Sequence, residues 1–383
     1  MKRKEFLQNL GLGVLSAAAV PTTLLGQSTV VNNEDHETID EYNEEMPPLN
    51  DGNNLNKVLG LGGVPLAGAW KPTSEEDALK TLEKAWELGI RYYDTSPRYG
   101  NGISERRFGV FLDGKPSDKY ILSSKVGRIL KPGIAPKEQI KHLWKNPMNA
   151  VFNYDYTASG ARKSIEDSLL RMGVQKLDFV FIHDLNPANF SSKEEYQNYF
   201  EEAKKGAIPE LAKMKEEGII KGWGFGINQP DAVLEALNFS QPDICLMATQ
   251  YSLLDHKQAL NKTFPTLQKN KVKIVLGSPL NCGYLAGNET WNYSPNPAPK
   301  EIAEKRKQLQ AVAAKYGVDL RTAALQFAMA HPAVVSVLTG CRNAEQIYKN
   351  FISLHGNEII NKAFWGELKA LGLIEKNAPT PTA

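Results

Sequence analysis

The chain is poor in cysteine, with three in 383 residues: Cys245, Cys282 and Cys341. They are odd in number and widely spaced, and no C-x-x-C pair occurs, which argues against a zinc ribbon or a redox dithiol. Cys245 and Cys341 lie within or beside apolar runs, where a thiol reads as a buried free side chain. An excess of one charge is also missing. Lys and Arg number 45 against 43 Asp and Glu, a formal net charge of +2. With no basic stripe and no interleaved aromatics, nucleic acid is not expected as a partner. No cluster of His, Cys, Asp or Glu has metal-ligand spacing, so no metal is expected. The first apolar run is not followed by G-x-G-x-x-G; Gly60-Leu61-Gly62-Gly63 has the wrong spacing. Long hydrophobic runs are lacking too. Leu10 to Leu25 is weakly apolar and interrupted by Pro21, too short for a membrane span.

That last stretch follows Lys2, Arg3 and Lys4, and a basic start before a small-residue apolar region is the layout of an export signal. Arg3-Lys4-Glu5-Phe6-Leu7 is similar to a twin-arginine signal whose second arginine has become lysine. Residues 1–26 are read as this signal-like segment and the protein as exported to the periplasm. A cytoplasmic protein and one anchored by an uncleaved signal are the alternatives. No stable membrane insertion is expected after signal removal. Residues 27–54 are rich in Asn, Asp and Glu around Pro47-Pro48 and read as a flexible acidic linker. The folded domain is expected over 55–375, with a disordered tail over 376–383.

Within that domain, apolar runs of strand length alternate with helical patterns. The runs are Val58–Leu61, Ile90–Tyr93, Tyr120–Ser124, Asp178–Ile182, Gly222–Ile227, Ile244–Ala248, Val272–Leu276 and Val334–Leu338. Helical spacing is found at Glu75–Leu88, Ala158–Met172, Ala207–Glu217, Asp231–Leu237, Lys257–Asn270, Ile302–Tyr316, Arg321–Ala330 and Ala344–Phe351. Eight strand–helix repeats predict an α/β fold, a single-domain (β/α)8 TIM barrel. A doubly wound sheet is the competitor, and the absent glycine fingerprint counts against it. Two longer connections, Gly127–Tyr156 and Gly283–Lys300, follow strands on the expected catalytic face and are predicted to line a substrate site.

Three of these strands end in groups that can move or stabilise a proton. The second delivers Asp94 and, in a Gly-rich loop five residues on, Tyr99; the third delivers Lys125; the fourth delivers His183. Strand ends of a parallel barrel converge on one face. Singly each residue is weak evidence, and His183 beside Asp184 also reads as a satisfied histidine.

In this order the four resemble the tetrad of the aldo-keto reductase family. The likeness covers nearly all of Leu55–Phe351, including ISERRFG at Ile103–Gly109, SIEDSLLRMGVQKLDFVFIHD, GSPLNCGYLAG and TGCRNAEQIYKN. The resemblance implies hydride transfer between a nicotinamide cofactor and a carbonyl, because no side chain donates hydride. Tyr99 would be the general acid/base, its pKa lowered toward neutrality by Lys125, which Asp94 holds in place; His183 would hydrogen-bond the carbonyl oxygen. It also implies cofactor contacts at Asn228, Gln229, Gln250, Ser278, Leu280, Gly340, Arg342, Gln346 and Asn350. The chain departs from the pattern in three places. Asn228-Gln229 replaces Ser-Asn, Gly277 stands where many members carry a stacking tyrosine, and Gly340 replaces a lysine of NADP-preferring members. Arg342, Gln346, Asn350 and a helix start near Ala344 still suit a 2′-phosphate, so NADP is preferred over NAD.

Within the family the motifs look most like a bacterial branch with aldose, fucose and pyridoxal dehydrogenases. That implies a sugar hemiacetal or small aldehyde, converted to or from its lactone or alcohol. Trp70, Trp144, Phe190, Trp291 and Tyr293 offer flat faces for such a substrate. The alternative function is a non-catalytic nicotinamide-binding regulatory protein on the same fold.

Overall fold

A computed structural model describes residue 55 and residues 57–140, 143–356 and 359–381. The signal-like segment 1–26 and the acidic linker 27–54 lie outside the described residues. The strands are β1 (Val58–Gly62), β2 (Tyr92–Asp94), β3 (Ile121–Pro132), β4 (Ala150–Asp155), β5 (Phe179–His183), β6 (Gly222–Ile227), β7 (Ile244–Ala248), β8 (Lys273–Gly277) and β9 (Val334–Gly340). Their order is β2-β1-β9-β8-β7-β6-β5-β3-β4, and an additional β2–β3 pairing closes the ring. Because β4 pairs only with β3, and antiparallel, the closed ring consists of the other strands, all parallel. This is the (β/α)8 barrel that the eight apolar runs predict.

Alternation explains how the barrel fills. Tyr92, Ile121, Phe179, Phe181, Ile244, Leu246, Val275 and Leu338 form one buried cluster. Their neighbours in sequence, among them Tyr93, Leu122, Val180, Ile182 and Leu276, belong to a larger core that also contains the helix residues. The period of two therefore separates barrel interior from the layer beneath the helices. Burying a phenylalanine is worth about 1.5–3 kcal/mol. A one-residue slip of β5 would turn Phe179 and Phe181 out together, so the register is strongly specified.

Helices cover the ring as expected at Glu75–Glu87, Ala158–Met172, Ala207–Glu216, Asp231–Ala236, Lys300–Tyr316, Leu320–Ala330 and Ala344–His355. Local chemistry starts them: Ser74, Thr157 and Asn343 each accept a first-turn N–H. Among the described residues four further helices have no counterpart in the periodicity reading: Ile103–Leu112, the single turn Lys137–Ile140, Lys193–Lys205 and Lys362–Ala370. The helix predicted near Lys257–Asn270 forms over 257–269 and contains a π-turn at Ala259–Thr263 before Phe264–Lys269. Pro265 sits at the join, where it has no N–H for the ladder.

Two expectations are corrected. The first connection, 127–156, is not an open loop. Strand β3 runs on through Pro132 and β4 returns beside it, with Gly127 opposite Asp155. The pairing satisfies backbone groups that a long loop would leave to solvent. The C-terminal tail is ordered through Pro381 rather than disordered from 376. Ala378 is 1% exposed, the Glu375 N–H donates to His256 Nε2 at 3.0 Å, and the Asn377 amide donates to Asn261 Oδ1 at 2.8 Å. A polar, Pro-containing composition conceals these anchors. Among the described residues no helix is long and apolar enough to cross a membrane.

Candidate active site

The alternation that fills the barrel also aims its polar groups. Asp94 follows Tyr92 on the inward face of β2, Lys125 follows Ile121 and Ser123 on β3, and His183 follows Phe179 and Phe181 on β5. Each is the last inward position before its strand ends or leaves the ring, so the three meet at one mouth. Tyr99 comes from the loop after β2. There Gly100, Asn101 and Gly102 all have positive φ (62°, 53° and 104°), a reversal that glycine adopts freely and asparagine tolerates. The Asn101 amide secures it by donating to the Ala150 carbonyl at 2.7 Å and accepting from Arg98 Nη1 at 3.0 Å.

The structure brings all four together. Lys125 Nζ donates to Asp94 Oδ1 (2.9 Å), Asp94 Oδ2 (2.7 Å) and the Thr95 carbonyl (2.8 Å). Ser123 Oγ donates a further bond to Asp94 Oδ1 at 2.7 Å. The Tyr99 ring lies with its centroid 4.7 Å from Lys125 Nζ and 5.7 Å, edge to face, from the His183 ring. His183 Nδ1 is 3.0 Å from Ser96 Oγ, and Nε2 is 3.6 Å from Asp184 Oδ2. Arg128 Nη2 meets that same Asp184 oxygen at 3.1 Å. Asp184 turns back toward the ring because its own φ is 51°, uncommon outside glycine.

Electrostatics correct one expectation. Burial, with Asp94 second, pushes the Tyr99 phenol well above its ordinary value rather than toward neutrality. The reason is burial at the barrel mouth, and the Lys125 ammonium that would lower it is paired with the Asp94 carboxylate beside it. Burial raises the Asp94 carboxyl and lowers the Lys125 ammonium, while their mutual attraction opposes both shifts. Burial likewise drives His183 well below its usual range, aided by Arg128, Lys125 and Arg98 against Asp184. At Asp184 burial is outweighed by the surrounding cations Arg128, Lys125 and Arg98, which hold the carboxyl low. The site therefore presents a protonated phenol, a neutral imidazole and a sequestered ion pair.

A cleft of about 500 Å³ runs from Asp94 and Tyr99 past Gly277, Ser278 and Leu280 to Gly340, Arg342, Gln346 and Asn350. The second predicted connection does line it, through Gly283, Asn288 and Tyr293 among others. Tyr293 stacks on Trp70 with centroids 5.7 Å apart, and its hydroxyl is 2.8 Å from Ser278 Oγ. At the far end the Arg342 amide donates to Gln346 Oε1 and its Nη2 to the Ala69 carbonyl, both at 2.9 Å. Arg321, unnoticed in the sequence, lines the same end, and the Nε atoms of both arginines are buried without a partner. Two guanidinium groups with unspent donors suit a phosphate.

Other predicted residues sit elsewhere. The Gln250 amide donates to the Asn228 carbonyl, and Gln229 Oε1 accepts the Ala188 N–H at 3.1 Å; these three bond within the protein and do not line this cleft. Trp144 packs on Tyr99 with centroids 6.0 Å apart. Phe190 is not in the cleft; it joins Tyr154, Tyr196 and Tyr199 in an outer aromatic cluster. Trp291 packs edge-on against Tyr284, centroids 5.6 Å apart, rather than lining the cleft. Both are apolar rings that found apolar neighbours, and sequence alone does not distinguish that from a ligand face. Ser96, Asp184 and Arg128 were missed as site residues. The one available signal was their adjacency to Tyr99, His183 and Lys125.

The Aldo/keto reductase family profile matches residues 58–371. A pyridoxal 4-dehydrogenase from Microbacterium luteolum is 34% identical over 330 residues, covering 83% of this chain and 94% of the relative. A D-threo-aldose 1-dehydrogenase from a Pseudomonas species is 32% identical over 334 residues, covering 85% and 95%. In fold, the chain is similar to a solved aldo-keto reductase from Bacillus halodurans in its holo form, with TM-score 0.60 and 24% identity over 81% of this chain and 91% of that one. With a closed parallel barrel, Asp94, Tyr99, Lys125 and His183 gathered at its mouth and a family match over residues 58–371, the chain belongs to the aldo/keto reductase family and is an NAD(P)-dependent oxidoreductase.

Proposed function

We propose that the enzyme interconverts an aldose-like sugar hemiacetal or small aldehyde and its lactone or alcohol, with Tyr99 as general acid/base. The observation that carries this reading is the placement of Tyr99 within one cleft that continues to Arg321 and Arg342. A bound nicotinamide supplies or accepts the hydride. The chain's own residues do the rest. Tyr99, kept protonated by burial and Asp94, gives its proton to the developing alkoxide in reduction, and in oxidation the phenolate form of the same side chain takes the alcohol proton. His183, kept neutral, donates a hydrogen bond to the same oxygen and orients it. Lys125, 4.7 Å from the Tyr99 ring centroid and bonded to Asp94 and Thr95, packs beneath the ring and helps hold it at the mouth.

The choice of sugar or aldehyde follows the two relatives named above, a pyridoxal and an aldose dehydrogenase. NADP is the preferred cofactor, because Arg321 and Arg342 offer buried, unpartnered Nε donors at the far end of the cleft. Trp70, Trp144 and Tyr293 supply flat faces around Tyr99. Screening aldoses and aldehydes with NAD and NADP separately, read at the nicotinamide absorbance band, tests the assignment. Turnover with neither cofactor on any of them rejects it.

Export to the periplasm remains part of the reading, on the strength of the basic and weakly apolar residues 1–26. Cell fractionation with sequencing of the mature N-terminus tests it. An intact Met1 on a cytoplasmic protein rejects export.

A further inference from the structure

We propose that Ser96 is a positioning residue that fixes the His183 imidazole as its Nε2–H tautomer. The inference rests on the reading of His183 as the donor to the substrate oxygen, and it specifies how that donor is set.

A neutral imidazole carries one N–H, and the nitrogen bearing it decides whether the ring donates or accepts toward a ligand. The partners around both nitrogens settle the matter here. On the Nδ1 side, Ser96 Oγ is 3.0 Å away. Ser96 is fully buried, at 0% exposure. Its oxygen already accepts the Arg98 backbone N–H at 3.0 Å. The hydroxyl proton then needs an acceptor, and among the described residues Nδ1 is the one within hydrogen-bond reach. Were Nδ1 protonated, Ser96 Oγ would accept twice and its own proton would be buried without a partner, an arrangement native structures avoid. Ser96 therefore donates to Nδ1, and the ring proton belongs on Nε2.

The Nε2 side agrees independently. Asp184 Oδ2 lies 3.6 Å from Nε2, close enough to favour an N–H there over a lone pair and too far to capture it. Arg128 Nη2 holds that oxygen at 3.1 Å. The Nε2 hydrogen is thus oriented by charge but not consumed by a strong bond, and it stays available to an incoming oxygen.

Ser96 also ties this histidine to the loop that brings in Tyr99. The Arg98 N–H to Ser96 Oγ bond is a serine turn, and the Tyr99 N–H donates to the Ser96 carbonyl at 3.1 Å. One residue thereby places the acid and sets the tautomer of its partner.

The test is long-range proton–nitrogen correlation on protein carrying ¹⁵N-labelled histidine, in the parent and in Ser96→Ala and Ser96→Thr variants. His183 is assigned by the signal lost in His183→Gln. The parent should show Nε2 protonated and Nδ1 bare at neutral pH. Ser96→Ala should shift His183 toward the other tautomer and lower kcat roughly ten- to a hundredfold, with little change in KM. Ser96→Thr, which keeps the hydroxyl, should restore the parental spectrum and rate. A protonated Nδ1 in the parent, or a Ser96→Ala spectrum identical to the parent's, overturns the proposal. Full kcat in His183→Gln would instead overturn the reading of His183 as the substrate donor, and with it the catalytic consequence of the tautomer.

Discussion

Lys125 Nζ sits between the two oxygens of the Asp94 carboxylate, 2.9 Å from Oδ1 and 2.7 Å from Oδ2, with both side chains sealed inside the barrel mouth. A buried pair contributes little net stability once desolvation is counted, but breaking it leaves an uncompensated charge. Lys125→Met should therefore destabilise the protein by about 3–5 kcal/mol. The double variant Lys125→Met with Asp94→Asn should recover part of that loss. Urea unfolding of the two variants and the parent measures the coupling, and additive losses would contradict a mutually dependent pair.

Tyr99→Phe should lower kcat by about 10²- to 10⁴-fold, the range for a positioned general acid. The substitution removes only the hydroxyl, and no protein hydrogen bond to it is needed to hold the loop, which Asn101 secures through Ala150 and Arg98. Cofactor affinity, measured by fluorescence titration, should stay within a few-fold of the parent. Undiminished turnover would remove Tyr99 from the mechanism.

The two arginines at the far end of the cleft predict a cofactor-selective loss. Arg342→Ala and Arg321→Ala should each weaken NADP by about tenfold, equivalent to 1.4 kcal/mol, while leaving NAD within a few-fold. Direct binding titrations of both dinucleotides distinguish this from a general disturbance, in which the two affinities would fall together.

Stability should fall on mild acidification. Burial, with Lys305 adding at His256 and Lys57 at His331, pushes both imidazoles down to about 4. The unfolded chain titrates near the ordinary value of about 6.5, so between the two values it binds protons that the folded state refuses. This stability is complete above about 6.5 and is lost as pH falls toward 4, on the order of 3 kcal/mol per residue. His256 Nε2 accepts the Glu375 N–H, and protonation removes that acceptor. Amide exchange at Glu375 should therefore accelerate before global unfolding. A stability profile flat from pH 7 to 4.5 would contradict both assignments.

Much of the barrel was legible because its code is local. A run such as Phe179–His183 is apolar throughout, ends in a polar group and is followed by a helix pattern, and the closed ring repeats that unit. The tetrad was legible for the same reason: Asp94, Lys125 and His183 are simply the last inward positions of their strands. What failed were features with long-range causes. The β3–β4 hairpin needs partners 18 to 28 residues away, with Gly127 opposite Asp155 and Pro132 opposite Ala150. The C-terminal residues are ordered by His256 and Asn261, more than 100 positions earlier.

The amino-acid sequence alone determined the eight strands of the closed ring and the order in which Asp94, Tyr99, Lys125 and His183 arrive, since periodicity and spacing are properties of neighbouring residues; the family came from the resemblance of their motifs. The tertiary structure decided the protonation states. Lys125 was expected to lower the Tyr99 phenol, yet it is paired with the Asp94 carboxylate, and burial raises the phenol instead. Ser96, Asp184 and Arg128 acquired roles only when folding set them around His183. A pKa or a tautomer depends on which atoms lie within a few ångströms, and those atoms come from strands and loops far apart in the chain.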